Sequence, residues 1–206
     1  MPNLARKLGG RFTYGDYRSW SEEDRWELID GVAYDMTPAP ARIHADLSMA
    51  LLKQLLAYFE GKPCKVYYAP FDVRLPEGNE PDDEIETVVQ PDLLVVCDDK
   101  KLDDKGCRGA PDLVIEILSP ATASKDCILK RALYEKHGVR EFWLVDPANR
   151  VATVYSLGAD RLFGKPAIYS DEDTVQAGLF PDLNVDFGKV FPAQPKTVRE
   201  RPARYL

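Results

Sequence analysis

The sequence predicts an α/β fold with a central mixed β-sheet flanked by helices. Three observations carry this. The apolar pattern runs in the order helix, several strands, helix, two strands. Two segments, VVQPDLLVV from Val88 and PDLVIEIL from Pro111, are as rich in branched apolar residues as core strands are. The 206 residues are 45% hydrophobic, enough chain for a full core. One domain is expected over 1–206, with its core at about 14–191 and with a peripheral N-terminal segment and basic C-terminal tail.

In chain order, RWELIDGVAYDM reads as a tight hairpin, because Asp30-Gly31 is a two-residue turn signal between alternating strands. TPAPAR then breaks the chain before an amphipathic helix over roughly 42–60. His44, Leu47, Leu51, Leu55 and Tyr58 share one face of it by the i, i+3/i+4 rule. KVYYAPFDVRL is strand material, and PEGNEPDDEIE an acidic surface loop. Strands at about 88–97 and 112–118 are joined by DDKKLDDKGCRGA. A second helix spans about 124–137, with Ser124 as N-cap and Gly138 as its stop. EFWLVD and VATVYSL come next as strands, and the chain's apolar end is FGKVF.

No apolar run reaches the roughly 18 residues that span a bilayer. MPNLARKLGGRF lacks the apolar core of a secretory signal, so the cytoplasm is the expected location and no membrane partner is expected. Cys64, Cys97, Cys107 and Cys127 form no CxxC pair, and only two histidines could join them. Reduced thiols are expected rather than a zinc site or disulfides. The net charge of -7 argues against a sequence-independent DNA coat, since such affinity comes from basic residues on phosphates. A local basic groove or a metal-bridged contact stays open. The basic tail KTVRERPARYL reads as a surface tail.

The carboxylates inside the two apolar runs are the chemical signal. If these strands pair antiparallel in a symmetric register, Asp92 lies opposite Glu116 and Leu93 opposite Ile115. Opposed side chains leave one face with Cβ atoms about 5 Å apart. Two carboxylates that close repel unless a cation or a proton lies between them. A hard divalent cation, Mg²⁺ or Mn²⁺, is the natural partner for such oxygens, with a backbone carbonyl near Ile117 to complete the set. Asp112 stands four residues from Glu116, about 13 Å along a strand, and reads as a turn residue at the far end. The bland alternative for Asp92 and Glu116 is two solvated acids at strand ends.

Asp126, Lys130 and Tyr134 recur at i, i+4 and i+8 on the second helix, with His137 completing the stripe. This stripe borders the apolar face, so Lys130 can reach over the strand end toward Glu116, where it would orient a nucleophile or stabilise charge. Its bland alternative is an Asp126–Lys130 surface pair. Lys125, at the helix start, is expected to point elsewhere.

QPDLLVV, PDLVIEILSPATASKD and KRALYEKHGVREFWLVDP, with WELIDGVAYDMTPAPARIH upstream, resemble the Uma-two family of endonucleases. The resemblance runs from about Tyr14 to Phe191. It implies membership of the PD-(D/E)xK superfamily and its restriction-endonuclease-like fold. It implies Asp92 as the motif's first acid and Glu116 as its second. Leu118 departs from the motif, whose lysine the family resemblance places on the next helix, at Lys130. Glu27 and His44 also match family positions, Glu27 as a further carboxylate at the metal and His44 as a contact to phosphate or water. Their bland alternatives are a salt-bridged strand acid and a core histidine.

The implied activity is metal-dependent hydrolysis of phosphodiester bonds, with DNA as the expected substrate and a homodimer as a plausible assembly for cutting two strands. Two rivals stand beside it. One is a lapsed nuclease fold that binds nucleic acid or a protein. The other is a two-carboxylate glycosidase, disfavoured because no aromatic sugar platform is evident near either acid.

Overall fold

The computed structural model describes residues 10–20, 25–36, 39–120 and 122–192. The basic tail KTVRERPARYL lies outside them, as do Thr37 and Pro38 of the TPAPAR breaker. The chain opens with a short helix α1 (Tyr14–Tyr17) and a hairpin of β1 (Trp26–Ile29) and β2 (Val32–Asp35). Helix α2 (Arg42–Phe59) is next, then β3 (Lys65–Tyr68), β4 (Val73–Arg74), β5 (Val88–Val89) and β6 (Leu93–Val96). After these come β7 (Leu102–Asp103), β8 (Gly106–Arg108) and β9 (Leu113–Ile117). A π-helical stretch, Lys125–Lys130, runs into α3 (Arg131–His137). The rest is β10 (Glu141–Asp146), β11 (Val151–Ser156), β12 (Ala167–Ser170), β13 (Thr174–Gln176) and β14 (Asn184–Asp186).

These strands build two six-stranded sheets and a small β13–β14 ribbon. The first sheet has the order β2-β1-β5-β4-β8-β7, the second β12-β11-β10-β9-β6-β3. In the second, only β9 and β10 run parallel. A parallel pair needs a crossover, and the helix from Lys125 to His137 supplies it. Its start therefore lies just past the end of β9, where Glu116 sits. The pairing of β6 with β9 sets Leu93 opposite Ile115, as expected, so Asp92 and Glu116 occupy the next opposed positions.

The apolar runs of β6 and β9 are buried on both faces, which explains their composition. Leu93, Val95, Leu113 and Ile115 pack under α2 with its Leu47, Leu51, Leu55 and Phe59. Phe59 takes the core position the helical pattern assigns to Tyr58. Phe187 and Phe191 of FGKVF close this layer. Leu94, Val96 and Val114 face the other way, against Leu133 and Tyr134 of α3 and against Val73, Leu75 and Val89 of the first sheet. By the strand alternation of two, Asp92 and Glu116 leave β6 and β9 on this second face.

The hairpin turn has φ of 49° at Asp30 and 76° at Gly31, the two positive values of a type I′ turn. Gly138 ends α3 in the left-handed region, at φ 84°. Three expectations need correction. The strand expected at 88–97 is two strands in different sheets. The chain crosses from one to the other at Gln90-Pro91-Asp92, where Pro91 has no N–H to continue a ladder. Ser124 is already helical and makes no capping bond; the Thr122 N–H is held instead by the Ser119 hydroxyl. Finally, Cys64 and Cys97 are joined in a disulfide. Lys65 pairs with Val96, so the next positions outward bring these two cysteines opposite each other. Only Cys107 and Cys127 are free.

Candidate active site

A cleft of about 590 Å³ opens where α2, the end of β9 and the start of the crossover helix meet, and Asp92, Glu116, Lys125 and Lys130 line it. Asp92 closes the gap between the two strands: its Oδ2 accepts the Ile117 N–H at 2.7 Å. The same oxygen accepts from His44 Nε2 at 3.1 Å, and His44 also bonds the Ile117 backbone. Burial would make the imidazole a weaker base, but Asp92 and the Ile117 bond outweigh it and raise the His44 pKa. His44 thus stands at the first turn of α2 as a holder of Asp92.

Glu116 is buried beneath this rim. Its Oε1 accepts from Tyr134 at 2.7 Å and from Lys130 at 3.0 Å. Lys130 also reaches Glu27 Oε1 at 2.7 Å and lies 3.7 Å from Asp126. The Asp126–Lys130 pair is buried, which removes its surface-pair alternative. Tyr134 both packs in the core and bonds Glu116. His137 leaves the stripe and faces Glu77 at 3.4 Å. Asp112 accepts the Cys97 N–H at 2.8 Å and Arg140 at 3.3 Å, fastening the far end of the β6–β9 pair.

Lys125 does not point elsewhere. Its Nζ donates to Glu27 Oε2 at 2.6 Å, so one carboxylate grips both lysines. Positions five apart on an α-helix diverge by ~140°. Here the Arg131 N–H bonds back to Asp126, five residues earlier, and this wider winding swings Lys125 and Lys130 toward one face. The π-helical turn left no mark in the apolar pattern. Lys125 is the more accessible lysine, its side chain 13% exposed against 3% for Lys130.

Glu27 sits on β1, fully buried, and Oε1 also takes the Gln90 N–H at 2.9 Å. With its oxygens committed to the lysines, it is a holder of cations rather than a free donor to a metal. Burial alone would weaken this acid, but Lys130 and Lys125 override it and hold its pKa at about 2. Such a group stabilises the fold above the ordinary glutamate range and loses that contribution as pH falls from about 4.5 toward about 2. Glu27→Gln is therefore expected to be less stable than the wild type at neutral pH. In urea denaturation the gap should narrow on acidification below about 4.5.

Glu116 behaves oppositely. Burial raises its pKa, Lys130 lowers it, and the neighbouring Asp126, Asp92 and Glu27 raise it again, to about 8. One lysine cannot neutralise several carboxylates, and Lys130 is shared among Glu27, Glu116 and Asp126. Asp126 is raised as well, first by burial. Three acids that line the cleft, Asp92, Glu116 and Asp126, and Glu27 buried behind them gather around two lysines. No group of three or more His, Cys, Asp and Glu side chains among the described residues is arranged as a metal cage. Two carboxylates short of positive charge suit a cation that keeps most of its waters, as Mg²⁺ does.

Two further residues escaped the sequence. Gln90, two positions before Asp92, donates from Nε2 to Asp72 at 2.9 Å and Tyr17 at 3.1 Å, and accepts from Arg25 at 3.0 Å. It couples α1 to the cleft. Tyr68, at the end of β3 opposite Leu93, lines the cleft and supplies an aromatic surface near the acids that the sequence does not reveal.

Among solved structures, this chain is similar to one titled as a "putative nuclease belonging to DUF820" from Anabaena variabilis ATCC 29413. The TM-score is 0.69 at 18% identity, over 87% of this chain and 97% of that one. The fold is restriction-endonuclease-like. No curated protein matches the chain. The model of the Uma2 family, described as "Putative restriction endonuclease", matches residues 14–188, and the chain belongs to that family.

Proposed function

We propose that this chain is a divalent-metal-dependent endonuclease that hydrolyses phosphodiester bonds in DNA. The observation that supports it most is the geometry of the cleft, where Asp92 and Glu116 stand at opposed positions past the β6–β9 register and share the lining with Lys125 and Lys130. Asp92 and Glu116 would hold Mg²⁺ or Mn²⁺. A bound ion of this kind lowers the pKa of a water and neutralises phosphate charge.

The remaining roles belong to the chain itself. His44 keeps Asp92 turned toward Ile117. Glu27 fixes both lysines, and Tyr134 fixes Glu116. Lys125, at the open side of the pair, is placed to meet a phosphate oxygen and to stabilise charge that develops on it. Lys130 serves mainly to hold the buried acids in position.

A cleavage panel tests this reading: duplex, single-stranded and branched DNA, and RNA, each with Mg²⁺, Mn²⁺ or EDTA. Cleavage is expected only with a divalent ion, and Asp92→Ala should reduce it by at least about 10²-fold. Undiminished cleavage by the variant, or none by the wild type on any substrate, would overturn the proposal.

A further inference from the structure

Large apolar side chains are exposed in the same cleft that holds the acids. Met49 is 58% exposed, Leu56 50% and Tyr68 59%, and all three line it. Isolated exposed apolar residues are ordinary, but a group of them beside a polar floor marks a binding surface. The buried face of α2 is satisfied by Leu47, Leu51 and Leu55, so the core does not account for Met49 and Leu56. Tyr68 is carried by the strand next to the acids: it pairs with Leu93, and the Ala69 N–H donates to the Asp92 carbonyl at 3.1 Å.

A ligand that fills this cleft therefore needs two unlike ends. One must tolerate a lysine and a cation between carboxylates; the other must be flat and apolar. A nucleotide has both, a phosphate and a base. In a continuous duplex the bases are stacked and paired inward, and only an unpaired base can lie on an aromatic ring. Depth points the same way. Glu116 is buried, so a phosphate that approaches it must enter the cleft rather than lie along its rim, as an unpaired strand can do.

We propose that the apolar wall formed by Met49, Leu56 and Tyr68 is a subsite for an unpaired nucleobase beside the scissile phosphate. The preferred substrate class is then a single strand, a frayed end or a branch rather than continuous duplex. This rests on the nuclease reading, and it lets one copy of the chain suffice for each cut.

The test is fluorescence anisotropy in EDTA at low salt, with a labelled oligothymidylate and a labelled duplex of equal length. The proteins are the wild type, Tyr68→Ala and Leu56→Ser, the two substitutions lying at exposed positions. The wild type should bind the single strand at least about tenfold more tightly than the duplex. Tyr68→Ala should lose about tenfold on the single strand and nothing on the duplex, because stacking acts only on unpaired bases. Equal affinities, no binding of either probe, or a silent Tyr68→Ala would overturn the subsite. The binding arm needs no catalysis, so the two readings fail separately. Selective binding without cleavage under Mg²⁺ or Mn²⁺ upholds the subsite and sinks the nuclease reading. Duplex cleavage with a silent Tyr68→Ala does the reverse.

Discussion

Lys130→Met is expected to lower the stability of the protein by about 3–5 kcal/mol, because it leaves buried carboxylates without their shared cation. The side chain is 3% exposed and touches Glu27 at 2.7 Å and Glu116 at 3.0 Å. Removing it strips Glu116 of its one lysine partner among the described residues and leaves Glu27 with Lys125 and the Gln90 N–H. Burial lowers the Lys130 pKa, but Glu116, Glu27, Tyr134 and Asp126 raise it well above the ordinary lysine value, so the ammonium is charged throughout the working range. For a domain of this size the loss corresponds to a drop of roughly 6–20 °C in melting temperature. Adding Glu27→Gln to Lys130→Met should recover part of it, since the two changes touch one ion pair and cannot be additive. A Lys130→Met protein that melts like the wild type would overturn the assignment of Lys130 as a holder of the buried acids. Lost cleavage in this variant, taken alone, does not identify a chemical role.

The chemical role is read at Lys125 instead. Lys125→Ala is expected to slow cleavage by about 10²–10³-fold, the usual effect of deleting one donor to a developing oxyanion. It should lose less stability than Lys130→Met and stay folded, because Glu27 Oε1 keeps Lys130 and the Gln90 N–H while the buried Oε2 loses Lys125. The loss should fall on kcat more than on KM if the contact strengthens as phosphate charge builds. Lys125→Arg keeps the charge but not the compact ammonium, and should recover activity only in part. Wild-type kcat in a folded Lys125→Ala protein would return the lysine role to Lys130. Melting curves on the same samples keep the comparison clean.

Much of the site was legible from local chemistry. Of the two PD runs, only the one from Pro111 carries a glutamate within its strand, and a symmetric antiparallel register alone selects Asp92 over Asp112 as the partner of Glu116. The structure has that register, with Leu93 opposite Ile115. The Asp126, Lys130, Tyr134 stripe also comes from spacing, since i and i+4 share a helix face whether the winding is α or slightly wider. The hairpin at Asp30-Gly31 and the boundaries of α2 needed only turn chemistry and periodicity.

Other features have no local signature. β4, β5, β7 and β8 are two or three residues long, too short for an alternation to register, so their assembly with the β1–β2 hairpin into a second sheet was not legible. Cys64 and Cys97 are 33 residues apart, and only the β3–β6 register brings them together. Lys125 was set aside by α-helical geometry that the π-helical turn does not obey.

By itself, then, the order of residues determined which side chains have the right chemistry: the two opposed acids, the lysine stripe and the apolar layers that bury them. Those depend on spacings of two and four along the chain, which backbone geometry converts directly into faces. Only the tertiary structure decided how charge is shared. Glu27 arrives from a hairpin about 100 residues before the lysines it grips, and Tyr68 from an edge strand. Protonation, accessibility and the shape of the cleft are set by such distant neighbours, because burial and Coulomb attraction act through space rather than along the chain.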